Sequence, residues 1–132
     1  MTRATPSDNR NPQRQLFRLP DAELHYWPAY LAADEANLLQ QQLAEQLNWQ
    51  RARIRLYGRE VAIPRRQVWM GEPHCHYRYS GTDFFPEPWH PLLQQLAQRL
   101  SQTLQQPLNC VLLNHYADGQ DHMGWHADDE PE

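Results

Sequence analysis

The chain contains no lysine, only two cysteines and no long apolar run. Because lysine is absent, all 12 fixed positive charges are arginine guanidinium groups, whose planar fork suits phosphate oxygens. Two cysteines, Cys75 and Cys110, are too few for a disulfide framework, which favours a reducing compartment. No apolar run approaches the roughly 20 residues of a membrane-spanning helix, so no membrane partner is expected.

The first fifteen residues are polar and lack both apolar periodicity and the apolar centre of a secretory signal. We therefore predict a disordered arm over residues 1–15 and one folded domain over residues 16–132. The length of 132 residues is enough to bury a core, and a monomer is expected. The expected location is intracellular, in the cytoplasm of a bacterium or the nucleus of a eukaryote.

The net charge is −4, which by itself argues against a polyanionic partner. The charges are, however, unevenly distributed. One short stretch, opposed only by Glu60, holds six arginines: Arg51, Arg53, Arg55, Arg59, Arg65 and Arg66. The cluster favours nucleic acid as a partner, while an ordinary solvated basic face remains the alternative.

Apolar periodicity predicts two helices and several short strands. The first helix begins at Asp34 as N-cap and runs to about Leu47, and the second spans roughly Leu92 to Leu104. Extended structure is predicted at 16–30 with turns at Pro20 and Pro28, at 49–59 and 61–63 around a Tyr57-Gly58 hairpin tip, and at 65–70, 77–79, 110–116 and 123–128. This order predicts an α+β fold or a barrel with helices packed outside.

The first indication of a catalytic site in the sequence is the pair His126 and Asp128. On a strand, residues two apart point to the same face, so an imidazole and a carboxylate would converge there. They would form two-thirds of the 2-His-1-carboxylate triad of non-haem iron(II) oxygenases. Two alternatives stay open. His122 and His126 have the spacing of a helical zinc site, which Gly124 disfavours, and the segment could be a polar loop with incidental histidines.

The segment around these residues resembles the AlkB family, particularly its branch that repairs double-stranded DNA. The matching blocks are Asn114-x-Tyr116, Asp118-Gly119, His122-x-Gly124 and His126-x-Asp128-Asp129-Glu130. Upstream blocks continue the resemblance: Pro64-Arg65-Arg66-Gln67, Tyr77-Arg78-Tyr79-Ser80-Gly81 and Pro86-x-Pro88-Trp89-x-Pro91. The resemblance covers roughly residues 16–132, and several blocks in the right order are more specific than any one of them.

The resemblance implies a partial double-stranded β-helix, or jelly roll, with two helices packed on one sheet. It implies Fe(II) and 2-oxoglutarate as cofactors. The implied reaction is oxidative dealkylation of N-alkylated bases in double- or single-stranded DNA, with RNA as an alternative substrate, and it releases formaldehyde and succinate. The protein would then supply orientation around chemistry carried by iron and cosubstrate.

Roles at the iron follow from the same resemblance. His126 and Asp128 would be the metal ligands and catalytic residues. Asn114 and Tyr116, two apart on one strand face, would hydrogen-bond 2-oxoglutarate. For Tyr116, an ordinary core aromatic on a strand is the alternative.

The resemblance also implies a set of substrate-binding residues. Tyr77, Tyr79 and Ser80 would line the pocket for a flipped-out base, with Tyr79 opposite the ring of His126. Asp129 and Glu130 would lie beside the base edge, with solvated acids as the alternative. Arg65 and Arg66 would contact phosphates, and Tyr57 at the hairpin tip would fill the gap in the stack, unless it is simply a hairpin aromatic.

The sequence departs from the family pattern downstream of Asp128. A complete member carries a distal histidine and, beyond it, an arginine that clamps the cosubstrate, and neither occurs after Asp128 here. We therefore interpret residues 16–132 as the N-terminal part of such a domain and expect the 132-residue chain alone to be inactive. The alternative function is a truncated or degenerate relative that binds nucleic acid without catalysis.

Overall fold

The structure is a computed structural model that describes residues 14–79 and 81–127. This part of the chain contains two helices and eight strands, which pair into four two-stranded antiparallel sheets. The predicted α+β class is confirmed. The chain divides into two compact units, Met1–Gln46 and Leu47–Glu132. Of the predicted arm, residues 1–13 lie outside the described residues, and Gln15 is already the first residue of a strand.

The first unit contains a β-hairpin and a helix. Strands β1 (Gln15–Leu19) and β2 (Ala22–Tyr26) pair across the two-residue turn predicted at Pro20. Helix α1 spans Ala33–Gln46, so the predicted N-cap, Asp34, lies instead within its first turn. A carboxylate is favourable there because it faces the positive end of the helix dipole.

The second unit opens with a hairpin whose turn the sequence predicts correctly. Strands β3 (Arg53–Leu56) and β4 (Arg59–Ala62) are joined by Tyr57 and Gly58 alone. Both turn residues have positive φ, 49° and 76°, as a type I′ turn requires. The side chain of Tyr57 is fully exposed at the tip.

Three further elements frame the site. Strand β5 (Arg66–Gly71) pairs with β8 (Cys110–His115), and helix α2 (Pro91–Leu104) lies between them in the chain. Helix α2 begins at Pro91 and is capped by His90, whose Nδ1 accepts a hydrogen bond from Leu92 N at 3.2 Å. Among the residues that the structure describes, the buried apolar ones all belong to this unit: Ile54, Ile63, Val68, Met70 and Leu93.

A second short hairpin consists of β6 (Tyr77–Tyr79) and β7 (Thr82–Phe84). Strand β6 is predicted from the sequence, but β7 is not, since three residues before a proline-rich loop carry too little alternation. None of the helices in residues 14–79 and 81–127 is long and apolar enough to cross a membrane.

Two predictions are wrong in detail. Residues 123–127 form no strand, because their backbone pairs with none of the described strands. Tyr116 follows β8 and does not lie within it. The expected double-stranded β-helix is likewise not seen in the described part of the chain, where strands pair only in twos.

Candidate active site

The pairing of β5 with β8 brings two distant sequence blocks together. Gln67 lies opposite Asn114 in the ladder, and Arg66 lies opposite His115. Arg65, the residue before β5, donates from Nε to Asn114 Oδ1 at 2.6 Å. The two predicted groups, phosphate-binding arginines and cosubstrate-binding residues, therefore meet at one place.

Gln67 joins this contact and is the only buried polar residue among those that the structure describes. Its amide nitrogen lies 3.0 Å from Asn114 Oδ1. With the amide turned, its oxygen accepts from Arg65 Nε at 3.1 Å and Nη2 at 3.0 Å, but it then faces Asn114 Oδ1, also an acceptor, at 3.0 Å. In either orientation Arg65, Gln67 and Asn114 form one contiguous polar cluster.

The flanks of Asn114 are held by the same two arginines. Arg65 Cζ lies 6.0 Å from the ring centroid of Tyr116, within cation–π range. Arg66 Nη2 donates to His115 Nδ1 at 2.6 Å, so the ring proton of His115 is on Nε2. The His115 ring also packs 5.4 Å from that of Trp49. Residues 114–116 are thus fixed from the side of β5.

Of the predicted base pocket, the structure places only Tyr77 in detail. Its ring packs edge-on against Trp69 at 4.9 Å and parallel to Phe84 at 5.0 Å. Such a stack stabilises the β6–β7 hairpin, so Tyr77 has a structural role whatever else it binds. Tyr79 pairs through its backbone with Thr82, and Ser80 lies outside the described residues.

His126 is the one predicted metal ligand that the structure describes, and it is exposed. Residues 122–126 line an open cavity of about 470 Å³. His126 Nδ1 is 2.8 Å from Gly124 O, and because a carbonyl only accepts, Nδ1 must carry the proton. The lone pair is therefore on Nε2.

This tautomer of His126, with its proton on Nδ1 and its lone pair on Nε2, is the one expected of a metal ligand. Metal-binding histidines typically donate their second ring N–H to a carbonyl or carboxylate, which fixes the tautomer. Within residues 14–79 and 81–127, no three histidine, cysteine, aspartate or glutamate side chains converge as a complete metal site. Asp128, Asp129 and Glu130 lie outside the described residues, so their predicted roles remain predictions.

The contribution of Gln67 is one that the sequence does not reveal. Its block, Pro64-Arg65-Arg66-Gln67, is visible in the sequence, but its role depends on which residue of β8 lies opposite. The only signal is a glutamine at a strand position directly before Val68, where an apolar residue is usual. A buried amide in a strand requires a partner, which here is Asn114.

The two cysteines of the second unit lie together at one end of this sheet, where Cys110 is the first residue of β8. Burial raises the pKa of Cys110 from the ordinary 9.0 to about 11, and the neighbouring Cys75 thiol adds to the shift. Since the folded pKa is the higher one, the proton is bound more tightly in the folded state, and the associated stability is lost as pH rises from 9.0 towards about 11.

We expect alkylation of Cys110 by iodoacetamide to reach half its maximal rate near pH 11 in the folded protein and near pH 9 after denaturation. Peptide mapping across a pH series measures this. In Cys75→Ser the midpoint pH for alkylation of Cys110 should fall part of the way from about 11 towards 9, because the contribution of the Cys75 thiol is lost while the burial remains. A folded-state midpoint near pH 9 contradicts the burial of this thiol.

Comparison with known proteins identifies the superfamily to which the chain belongs. Residues 23–132 match the family model of the 2OG-Fe(II) oxygenase superfamily. The match covers most of the chain, so this chain belongs to that superfamily, whose cofactors are Fe(II) and 2-oxoglutarate.

Curated relatives from the AlkB family confirm the resemblance to that family. DNA oxidative demethylase ALKBH2 of Bos taurus is 42% identical over 81 residues, which are 61% of this chain and 29% of the relative. The Homo sapiens protein of that name is 40% identical over 81 residues, 61% of this chain and 31% of the relative. Alpha-ketoglutarate-dependent dioxygenase alkB homolog 3 of Homo sapiens is 34% identical over 109 residues, 80% of this chain and 36% of the relative. The chain spans about a third of the length of these relatives.

Proposed function

We propose that the protein is an Fe(II)/2-oxoglutarate-dependent dioxygenase that removes alkyl groups from base nitrogens in DNA, with release of formaldehyde and succinate. The observation that carries the proposal is the superfamily match over residues 23–132, a range that includes β5, β8 and His126. The names of the relatives, DNA oxidative demethylase among them, support DNA as the substrate. In this reading β5 and β8 belong to a partial double-stranded β-helix with helices packed on one sheet.

The residues at the site would have three separate roles: binding iron, binding 2-oxoglutarate and binding the flipped base. His126 and Asp128 would hold the iron, and Asn114 and Tyr116 would bind and orient 2-oxoglutarate. Iron with 2-oxoglutarate and dioxygen supplies the oxidation of the alkyl carbon. Tyr77, Tyr79 and Ser80 would receive the flipped base, because a lesion on the Watson–Crick edge cannot be reached inside a duplex.

The β3–β4 hairpin is the part of the chain best suited to DNA. Tyr57 stands fully exposed at its tip, and the nearby Arg55 and Arg59 are exposed as well. The net charge of −4 opposes binding only at long range, since the Debye length is about 8 Å at physiological salt. At short range the arginine cluster dominates.

The experiment uses a full-length form from the gene, loaded with Fe(II), and oligonucleotides with and without methyladenine. Lesion-dependent production of succinate supports the dioxygenase. The alternative function, nucleic-acid binding without catalysis, instead predicts oligonucleotide binding with no succinate above that of the unmodified control. That second result would overturn the enzyme proposal.

Tyr57→Ala is expected to reduce repair of a methylated duplex by about tenfold and repair of the same single strand by less than twofold. The reason is that only a duplex has a stack to be wedged, and losing an inserted ring costs on the order of 1–3 kcal/mol. Initial rates on paired and unpaired oligonucleotides measure it. Tyr57→Phe keeps the ring and should retain duplex repair. An equal loss of repair on the duplex and on the single strand would exclude the proposed insertion of the Tyr57 ring into the base stack.

A further inference from the structure

We propose that Arg65 is a positioning residue for 2-oxoglutarate, orienting Asn114 and Tyr116, and is not primarily a phosphate contact. The inference rests on the proposed function and assigns Arg65 a place within it. It departs from the role that the sequence resemblance implies for this arginine.

The first support is the orientation that Arg65 imposes on Asn114. The 2.6 Å contact from Arg65 Nε makes the Asn114 oxygen an acceptor on the β5 side. The amide NH₂ of Asn114 must then point in the other direction. A carboxylate accepts hydrogen bonds and cannot donate them, so an outward NH₂ is the orientation that 2-oxoglutarate needs.

The second support is that one guanidinium reaches both cosubstrate residues. The Arg65 Cζ lies 6.0 Å from the Tyr116 ring centroid while its Nε contacts Asn114. Asn114 is exposed and the Tyr116 side chain is 42% exposed, so neither is fixed by close packing. Arg65 is half-buried and therefore supplies the restraint that packing does not.

The third support is charge. 2-Oxoglutarate carries two carboxylates, and a half-buried cation beside its binding residues attracts it with less screening than a surface arginine would. Gln67 Nε2 donates to the same Asn114 oxygen at 3.0 Å, so a second group holds that oxygen on the β5 side. A phosphate contact would require Arg65 to leave these partners, whereas the exposed Arg59 on the hairpin loses none by binding one.

The test measures cosubstrate affinity and DNA affinity separately, on the full-length Fe(II) protein without oxygen. Calorimetry gives the Kd for 2-oxoglutarate, and oligonucleotide binding over a salt series gives the slope of log affinity against log salt. In Arg65→Gln we expect a Kd raised about tenfold and an unchanged salt slope. Arg65→Lys keeps the charge but lacks the fork, and it should also weaken 2-oxoglutarate binding.

Arg59→Gln is the matched control, since it also removes one positive charge. It should lower the magnitude of the salt slope by about one and leave the Kd for 2-oxoglutarate unchanged. A double mutant adds a test that a purely structural role would not pass. If Arg65 acts partly through Asn114, Arg65→Gln in an Asn114→Ala background should weaken 2-oxoglutarate binding by clearly less than tenfold, the remainder coming from Tyr116 and the charge; a full tenfold loss in both backgrounds would exclude action through Asn114.

The outcomes separate the two proposals. An Arg65→Gln protein that binds 2-oxoglutarate like the wild type, or that loses one unit of salt slope, overturns the positioning role alone. A wild-type protein that binds no 2-oxoglutarate overturns the proposed function and this inference with it. If Arg65→Gln does not fold, Arg65→Lys decides by the Kd for 2-oxoglutarate alone, because it keeps the charge that sets the salt slope: a wild-type Kd overturns the positioning role.

Discussion

Replacing His126 by alanine is expected to lower lesion-dependent succinate production by about a hundredfold or more, because the iron would lose one of its few protein ligands. Bound iron per chain should fall with it. The protein should remain folded, since His126 is exposed and contributes nothing to the core. Metal analysis after anaerobic gel filtration, with succinate assays on the full-length form, measures both effects.

His122 supplies a matched control for this experiment. It lies four residues earlier, is also exposed, and makes the same local contact, from Nδ1 to Gln120 O at 3.1 Å. His122→Ala should keep bound iron and activity within about twofold of the wild type, because His122 is no ligand in the proposed site. Equal loss of metal in the two variants would instead favour the His122–His126 zinc alternative.

Local signals in the sequence predict much of the fold. Tyr57-Gly58 is recognisable as a hairpin turn because the turn chemistry and the flanking alternation occur within ten residues. Helix α2 is predicted almost to the residue, since its leucines repeat at helical spacing after Pro91. Each of these signals depends only on residues close together in the chain, so a single sequence is enough to predict the local structure.

The site depends on information that is not local. Arg65 and Asn114 are 49 residues apart, and their contact requires the register of β5 against β8. That register cannot be read from either strand alone. The strand predicted at 123–128 is wrong for a different reason, which also lies outside the segment itself. Its alternation suits a strand, but a strand needs a partner, and none of the described strands provides one.

Gly71 is the residue of this ladder whose replacement should cost most stability. It ends β5 opposite Cys110 and has a φ of +147°, which side chains rarely allow. A Cβ at this position would lie 2.4 Å from Asn109 O and 2.5 Å from the Cys110 Cα. Both are backbone atoms, so the two strands would have to separate to make room, and the displacement would reach Gln67 and Asn114 through the shared ladder.

Gly71→Ala is accordingly expected to lower the free energy of unfolding by roughly 3 kcal/mol or more, combining backbone strain with the steric conflict. Gly58→Ala is the matched control, because Gly58 also has positive φ, +76°, but has open space around its Cβ position. It should cost only about 1 kcal/mol. Urea unfolding of the full-length form, followed by fluorescence, compares the two variants with the wild type. If Gly71→Ala costs no more than Gly58→Ala, the close approach of β5 to β8 at Gly71 is wrong.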